Sequence, residues 1–416
     1  MITINLPIKE NRKYVFTYTG IKSLEILPDK SGKLWYKESG AEDAKEFGFT
    51  ALNYDIKHLE IWDNIYPLLL LLGDGGPIFG KHTEAHIHFN FSLNRKVRDF
   101  FIIRAKKMGV DIKITADNLN DQVFNISTEG NALPFGGGKD SRLLYGILKE
   151  KFGEVETYSA PLNPYPNSTL FCLDNEDFVS KGGKNVSPIC RNTIWNRIMP
   201  SLMSQKKYIY LGGNLGSVEL VTPWHQIYDI LSPTALKEFS FLLKAVGIDT
   251  NLYSPAGMLS HNIIQKILHD RYPELYRHQH STAKEDRSEK NLGVSLSKIY
   301  HGIEFRDHCS EKLFTELLKD FVQSQVSDEK AYGLRNHRRV IRKEMRAIIY
   351  HMQDHPLFAE VRSQIPSSWK GRWIDFIHSY AVPDIDSRFL KIFQEYATDI
   401  DVHPDSKRML HVNVKN

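Results

Sequence analysis

The chain is poor in cysteine. It has three cysteines in 416 residues, Cys172, Cys190 and Cys309, and no two of them form a CxxC pair. This spacing argues against a disulfide scaffold and against a cysteine-rich zinc site, because both need clustered or paired thiols. Scarce and isolated cysteines are typical of proteins in a reducing compartment, and we therefore expect a cytoplasmic location.

A long apolar run is also missing. The longest, from Leu68 to Leu72, consists of leucines between Pro67 and Gly73, whereas a helix needs about 20 apolar residues to cross a bilayer. The N-terminal stretch contains no apolar segment of signal-peptide length. These two absences predict a soluble chain without a membrane partner.

Neither sign of charge is in large excess. The 54 Lys and Arg residues against 50 Asp and Glu residues give a formal net charge of +4. So small a charge, spread over this length, argues against a nucleic-acid partner. A single hydrophobic core rarely grows beyond about 250–300 residues, so more than one domain is expected.

Hydrophobic patterning divides the chain into three predicted regions. Residues 1–130 contain short runs of β-branched and aromatic residues, which predict a β-rich N-terminal domain. In residues 131–232 strands alternate with helices, which predicts an α/β domain with a parallel sheet. Residues 233–416 carry apolar stripes at helical spacing, which predict a helical C-terminal region that completes or caps a site in the α/β domain.

The most informative segment is the loop FGGGKDS, residues 135–141, between a predicted strand and a predicted helix. Three consecutive glycines allow positive φ angles and let the backbone approach a ligand closely. Their N–H groups can form a concave nest for anionic oxygens, and the following helix presents its N-terminal N–H groups to the same anion. The pattern predicts an anion site, and a glycine-rich turn that only caps the helix is the alternative.

Three side chains of the loop make the predicted ligand more specific. Lys139 adds a positive charge and Ser141 adds a hydroxyl donor. Asp140 would repel a bare phosphate, but it can hold a Mg²⁺ ion that also binds the phosphate. Together they predict a polyphosphate site with a metal ion, and a nucleotide as the ligand.

The loop resembles the S-G-G-x-D-S loop of the PP-loop ATP pyrophosphatases (the N-type family), and it lacks the GxxxxGK[ST] pattern of a Walker A loop. Gly136 stands where that family usually has serine. The resemblance extends over residues 131–230. It implies a Rossmann-like domain that binds ATP and Mg²⁺, cleaves ATP to AMP and pyrophosphate, and activates its substrate as an adenylate. The positions that match the family loop are Gly137, Gly138, Asp140 and Ser141.

Through this resemblance, residues beyond the loop are also assigned to the site. Ser159, at the end of the next predicted strand, would line the adenine and ribose. Gly213 and Asn214 follow the predicted strand YIYL and would contact the nucleotide, and Glu219 would hold the metal. A turn or a helix cap is the alternative for this second glycine segment.

Within the superfamily, the glycine triplet after a proline and the three-part layout are similar to the UDP-N-acetylmuramoyl-L-alanyl-L-glutamate epimerases. That similarity implies a small-molecule carboxylate substrate of peptidoglycan precursor synthesis, activated by AMP on its terminal glutamate. Adenylation removes the carboxylate charge and makes the neighbouring Cα–H more acidic, so that a base can take the proton and reprotonation can invert the centre. Lys139 and Asp140 would then act in the adenylation step.

Two histidine pairs are further candidates. His278 and His280 lie two residues apart on a segment predicted to be extended, so they face one side and could supply the base, contact phosphate or hold a metal. The alternative is a solvent-facing loop. His86 and His88 share one face of a predicted strand, and there a structural role is favoured over a metal site.

Two other functions are compatible with the loop. A tRNA- or small-molecule-modifying ligase or sulfurtransferase of the same superfamily would also adenylate its substrate. For tRNA, a catalytic cysteine pair and a basic domain are expected, and the isolated cysteines and low net charge argue against that variant. A module that binds ATP without turning it over is the other alternative, because Gly136 removes one hydroxyl from the loop.

Overall fold

The computed structural model of the protein describes residues 2–6, 8–10, 13–19, 23–25, 37–39, 45–51, 58–72, 84–107, 111–159, 169–172, 202–212, 233–259, 261–277, 289–303, 310–328, 339–370, 376–378, 387–396 and 399–401. The chain divides into two compact units. The first, here called the sheet unit, comprises Met1–Gly136, Val155–Leu211 and Ile227–Tyr253. The second, called the helical unit, comprises Gly137–Glu154, Gly212–Gln226 and Ser254–Asn416.

The described elements are numbered in chain order. The strands are β1 Ile2–Ile4, β2 Ile8–Glu10, β3 Lys13–Thr19, β4 Ser23–Glu25, β5 Lys37–Ser39, β6 Lys45–Ala51, β7 Glu84–Asn94, β8 Asp111–Asn120, β9 Asn131–Pro134, β10 Glu156–Ser159, β11 Thr169–Cys172, β12 Tyr208–Tyr210, β13 Asn251–Tyr253, β14 Phe376–His378 and β15 Asp399–Asp401. The helices are α1 Leu59–Leu72, α2 Arg95–Lys107, α3 Lys139–Phe152, α4 Pro233–Ala245, α5 His261–Arg271, α6 Pro273–Arg277, α7 Glu289–Tyr300, α8 Glu311–Asp328, α9 Arg339–His351 and α10 Ser387–Gln394. Single 3₁₀ turns lie at residues 255–258, 356–358, 362–364 and 367–369.

The sheet unit is built on one large sheet with the strand order β13-β12-β9-β10-β11-β6-β3-β1-β7-β8, and β2 pairs with β3. Its strands β13, β12, β9, β10 and β11 are all parallel to their neighbours within that group. Read across the sheet from β11 to β13, these five strands are the third, second, first, fourth and fifth of the group in chain order, which is the order of a doubly wound sheet. The α/β class with a parallel sheet is thereby confirmed, and the order is compatible with a Rossmann-like domain.

The winding of this sheet reverses at β9. From β9 the chain passes to β10 on one side, and β12 later pairs with the other side of β9, with Ile209 opposite Ala132. In open α/β sheets ligands bind outside the carboxyl ends of the strands at such a reversal. The topology therefore singles out the segments that follow β9 and β12.

The two units differ from the three predicted regions. Strand β11 pairs antiparallel with β6, with Phe171 opposite Ala51, so strands from both sides of the predicted boundary at residue 130 belong to one sheet. The segments Gly137–Glu154 and Ser254–Asn416 fall in the same unit instead of in separate regions. Pairing between strands so far apart in the chain leaves no mark in local hydrophobic patterning, which is why the sequence did not predict it.

Local predictions in the N-terminal part are close to the structure. The alternation of apolar and polar residues over 85–93 predicts a strand, which lies within β7. The pattern over 97–110 predicts a helix, and α2 covers this range up to residue 107, beyond which residues 108–110 lie outside the described residues. Helix α1 was not predicted, and it contains the leucine run and buries Trp62 and Tyr66 in the core. In the described part of the chain, no helix has both the length and the apolar character that a membrane span requires.

In the helical unit, helices α3 and α5 to α10 dominate the described residues, as the sequence predicted from residue 234 onward, and β14 pairs with β15. Helix α3 is held firmly. The guanidinium of Arg271 binds the Glu150 carboxylate through Nε at 3.0 Å and through Nη2 at 2.9 Å. This hydrogen bonding lowers the pKa of Glu150 to about 2. Earlier in α3, a Cβ at Gly146 would lie 2.8 Å from the Tyr272 ring, so this ring packs closely against the backbone of α3.

Candidate functional site

The loop that follows β9 enters helix α3 without a side-chain cap. Gly137 has a φ of +70°, which favours glycine. Gly138 is the N-cap, with an extended backbone and no side-chain cap hydrogen bond. The first helical hydrogen bond runs from the Arg142 N–H to the Gly138 carbonyl at 3.0 Å. The N–H groups at residues 139–141 therefore lie outside the helix's own hydrogen-bond ladder, where an anion can be bound.

Gly138 stands at an open position. A Cβ added there would meet no atom within 4 Å, and the φ of −78° is one that any residue adopts. Neither backbone conformation nor packing within the described structure therefore requires glycine at this position. Glycine at this position leaves space in front of the N-terminus of α3. Such space fits a ligand that approaches the backbone closely.

The charged side chains of the loop pair with one another. Lys139 Nζ lies 2.9 Å from Asp140 Oδ1, and their side chains are 11% and 22% exposed. Ser141, which is buried, donates its hydroxyl to the Gly138 carbonyl at 3.0 Å. A cation, a carboxylate and a hydroxyl thus lie together in the first turn of α3, as the sequence predicted.

Arg142, which directly follows this loop in α3, was missed by sequence reasoning. Its side chain is 3% exposed, and its Nε donates to the Gly137 carbonyl at 2.9 Å. Because the C=O and N–H of one trans peptide point in opposite directions, this bond turns the Gly138 N–H away from the guanidinium. The signal in the sequence is an arginine directly after the motif, at a position that falls on the buried side of the predicted helix.

The second glycine segment reaches the first turn of α3. A Cβ on Gly212 would lie 3.1 Å from the Ser141 backbone N and 3.3 Å from its Cα. The structure therefore brings the two glycine segments that follow β9 and β12 into backbone contact. Of the other predicted site residues, Gly213, Asn214, Glu219, His278 and His280 lie outside the described residues.

Two of the predicted site residues, Gly136 and Ser159, lie in the sheet unit. Ser159 ends β10 opposite Leu170 of β11, and it is buried. The residue before it, Tyr158, accepts a hydrogen bond at 2.7 Å from the N–H of Phe135, which directly precedes Gly136. Ser159 thus stands at the carboxyl end of the strand beside β9.

Ser254 was not predicted, and it follows directly on β13. It is 1% exposed, and its Oγ has no hydrogen-bond partner within the described part of the chain. The 3₁₀ turn that begins at Pro255 packs against α3. The sequence contains no pattern that would have pointed to this serine.

The strand histidines form a polar ladder. His86 Nε2 and His88 Nδ1 each lie 3.0 Å from the Thr115 hydroxyl, and His88 Nε2 lies 3.2 Å from Asp117 Oδ1. These contacts involve three of the four ring nitrogens and favour the structural role. Among the residues that the structure describes, no group of three or more His, Cys, Asp or Glu side chains is arranged to hold a metal ion.

Neither a protein-family model, nor a curated protein, nor a solved structure matches the chain.

Proposed function

We propose that the protein is an ATP-dependent adenylating enzyme that cleaves ATP to AMP and pyrophosphate and activates a carboxylate substrate. The observation that carries this proposal is the contact of the Gly212 backbone with the first turn of α3, directly after the GGGKDS loop. Two glycine segments from neighbouring parallel strands leave room for a polyphosphate at the point where such sheets take their ligands.

In this proposal the chain's own groups bind and orient the phosphates. The N–H groups of Gly138 and of residues 139–141 point at the anion, where the helix dipole adds to their attraction. The Lys139 ammonium exchanges Asp140 for a phosphate oxygen, because a phosphate offers more charge than one carboxylate. The Ser141 hydroxyl rotates from the Gly138 carbonyl toward the ligand.

The donor set of the loop also fits Mg²⁺. This ion binds nucleotides through one or two carboxylates, phosphate oxygens and water, so it needs no cage made wholly of protein groups. The Asp140 carboxylate, which is 22% exposed, is the described group that would hold it. When bound, Mg²⁺ supplies positive charge that offsets the charge of the phosphates.

The reaction is an in-line displacement at the α-phosphorus. A carboxylate oxygen of the substrate forms a bond to this phosphorus, and the bond to the oxygen that bridges to the β-phosphorus breaks. Pyrophosphate leaves with that electron pair, and an acyl adenylate remains. The loop's N–H groups and Lys139 hold the phosphates in line and stabilise the charge on the leaving group.

We further propose that the activated acid is the terminal glutamate of a UDP-N-acetylmuramoyl dipeptide, and that the enzyme epimerises it. The support is the resemblance of the loop together with the strand-rich beginning and helical end of the chain. An acyl adenylate has lost the carboxylate charge, which lowers the cost of forming a carbanion at the neighbouring Cα. Ligation of the adenylate to an amine would use the same first step.

The test is incubation with Mg-ATP and a panel of amino-acid and nucleotide-sugar peptide substrates, with AMP, pyrophosphate and product stereochemistry measured. We expect AMP release only with the right carboxylate, and inversion of its glutamyl centre. Asp140→Asn should abolish the release, whereas Asp354→Asn, at an exposed carboxylate, should not. ATP binding with no AMP from any substrate would instead identify an ATP-binding module, and absence of ATP binding would refute the proposal.

A further inference from the structure

Ser254 carries a buried hydroxyl without a hydrogen-bond partner among the described residues. Ser254 is 1% exposed, and no described group forms a hydrogen bond with its Oγ. Buried polar side-chain atoms in folded proteins almost always have a partner, so each exception calls for a physical reason. A ligand that supplies the missing hydrogen bond is such a reason.

The hydroxyl is not used by the neighbouring backbone either. Ser254 is the residue before the 3₁₀ turn at 255–258, a place where a serine normally accepts a hydrogen bond from the turn's N–H groups. Here it makes no such cap. Its capacity to donate and accept is therefore left for another group.

Ser254 follows β13 at its carboxyl end, and the loop FGGGKDS follows the carboxyl end of β9 in the same parallel sheet. Strand β13 is the parallel neighbour of β12, with Tyr253 opposite Tyr210, and the Leu211 N–H donates to the Tyr253 carbonyl at 2.7 Å. The residues that follow in each strand are Ser254 and Gly212. Gly212 lies against the N–H of Ser141, and the 3₁₀ turn after Ser254 packs on helix α3.

We propose that the Ser254 hydroxyl binds a phosphate oxygen of the nucleotide held by the loop at residues 137–141. The inference rests on the proposed function. A phosphate oxygen only accepts hydrogen bonds, and a serine hydroxyl without another acceptor is free to donate to it. Ser254 would therefore supply a hydroxyl from a third strand, beyond the two glycine segments.

The experiment compares Ser254→Ala with Ser295→Ala by calorimetric titration of Mg-ATP, pyrophosphate and AMP, alongside thermal melts without ligand. Ser295 is the matched control, because it belongs to the same unit, is fully buried, and also has an Oγ without a partner. Both substitutions remove an unsatisfied hydroxyl, so neither should lower the melting temperature of the free protein. We expect Ser254→Ala alone to weaken Mg-ATP binding, by about tenfold.

The titration arms locate the contact. A loss shared with pyrophosphate assigns it to the β- or γ-phosphate, and a loss shared with AMP assigns it to the α-phosphate. Wild-type affinity in Ser254→Ala overturns the inference and leaves the proposed function standing. An equal loss in both variants also overturns it, because the effect would then follow from any lost hydroxyl. No uptake of Mg-ATP by the wild-type protein would overturn both proposals.

Discussion

The buried guanidinium of Arg142 holds the carbonyl of Gly137, with Nε donating at 2.9 Å. Gly137 has a φ of +70°, and its carbonyl would otherwise be able to turn toward the concave side of the loop. A carbonyl oxygen on that side would repel a phosphate, whereas the Gly138 N–H attracts one. Arg142 is therefore a positioning residue, which acts on the ligand through the orientation of a peptide plane.

Replacing this arginine should show how strongly its hydrogen bond to Gly137 supports nucleotide binding and stability. We expect Arg142→Met to weaken Mg-ATP binding by about tenfold or more, because the Gly137 carbonyl loses its donor and the peptide plane can turn. It should also cost about 1–3 kcal/mol in the free energy of unfolding, since a buried carbonyl is left unpaired. Calorimetry and urea unfolding measure the two effects.

A conservative variant makes this prediction specific. Arg142→Lys keeps a donor within reach of the Gly137 carbonyl, and it should restore part of both the stability and the nucleotide affinity. If Arg142→Met bound Mg-ATP as tightly as the wild type, the orientation of this peptide plane would have no part in binding.

At Gly138, stability and ligand binding should change in opposite directions. Gly138→Ser places a side chain in the open space before α3 and also supplies an N-cap oxygen. We expect the free energy of unfolding to stay equal or to rise by a few tenths of a kcal/mol, as for serine in place of glycine at an N-cap. Mg-ATP affinity should fall by about tenfold or more, because the side chain occupies the space of the phosphate.

The companion variant Gly138→Ala adds the same Cβ without the capping oxygen. It should lose Mg-ATP binding as well, but with a lower melting temperature, since alanine is a poor N-cap. Retained ATP affinity in both variants, measured by calorimetry, would show that the open space at Gly138 has no ligand in it.

The loop could be predicted because its residues are contiguous in the sequence. The other site residues could not, because their positions depend on pairing between strands that are distant in the sequence. The glycine triplet, Lys139 and Asp140 are contiguous, so their chemistry and their place between a strand and a helix could be read along the chain. The contact of Gly212 with Ser141 depends on β12 lying beside β9, which no local pattern encodes. The position of Ser254 beside Gly212 depends on a further pairing, of β13 with β12. Helix α1 was missed because Pro67 lies inside it, directly before the leucine run, and a proline usually interrupts a helix.

Gly212 allows a test of the contact between the two glycine segments. A Cβ there would lie 3.1 Å from the Ser141 N and 3.3 Å from its Cα, and both are backbone atoms that cannot swing aside. Gly212→Ala should therefore push the start of α3 away and destabilise the protein by about 1–3 kcal/mol. We expect a lower melting temperature together with weaker pyrophosphate binding. Gly293→Ala in helix α7, where a Cβ would only make ordinary van der Waals contact with the Met345 side chain at 3.5 Å, is the comparison for the effect of a methyl group without a backbone clash.

Asp63 should make stability depend on pH in the sense opposite to an ion-paired carboxylate. It lies in α1, is 7% exposed, and its Oδ1 has no hydrogen-bond partner among the residues that the structure describes. Burial, with a smaller contribution from the Glu60 charge, raises the pKa of Asp63 to about 7, whereas an unfolded aspartate has a pKa of about 3.9.

The folded protein therefore keeps a proton that the unfolded chain releases, and stability falls as the pH rises from about 4 to about 7. Above that window the charged, buried carboxylate costs a constant amount. The side chain in Asp63→Asn cannot ionise. At pH 8, urea unfolding should therefore give this variant a free energy of unfolding higher than that of the wild type by on the order of 2 kcal/mol, and this gain should shrink toward pH 4. Asp111→Asn, at an exposed aspartate of the same unit, is the control for the change from aspartate to asparagine itself. A gain of equal size at pH 4 and pH 8 would show that the effect comes from packing, because only a titrating carboxylate makes it depend on pH.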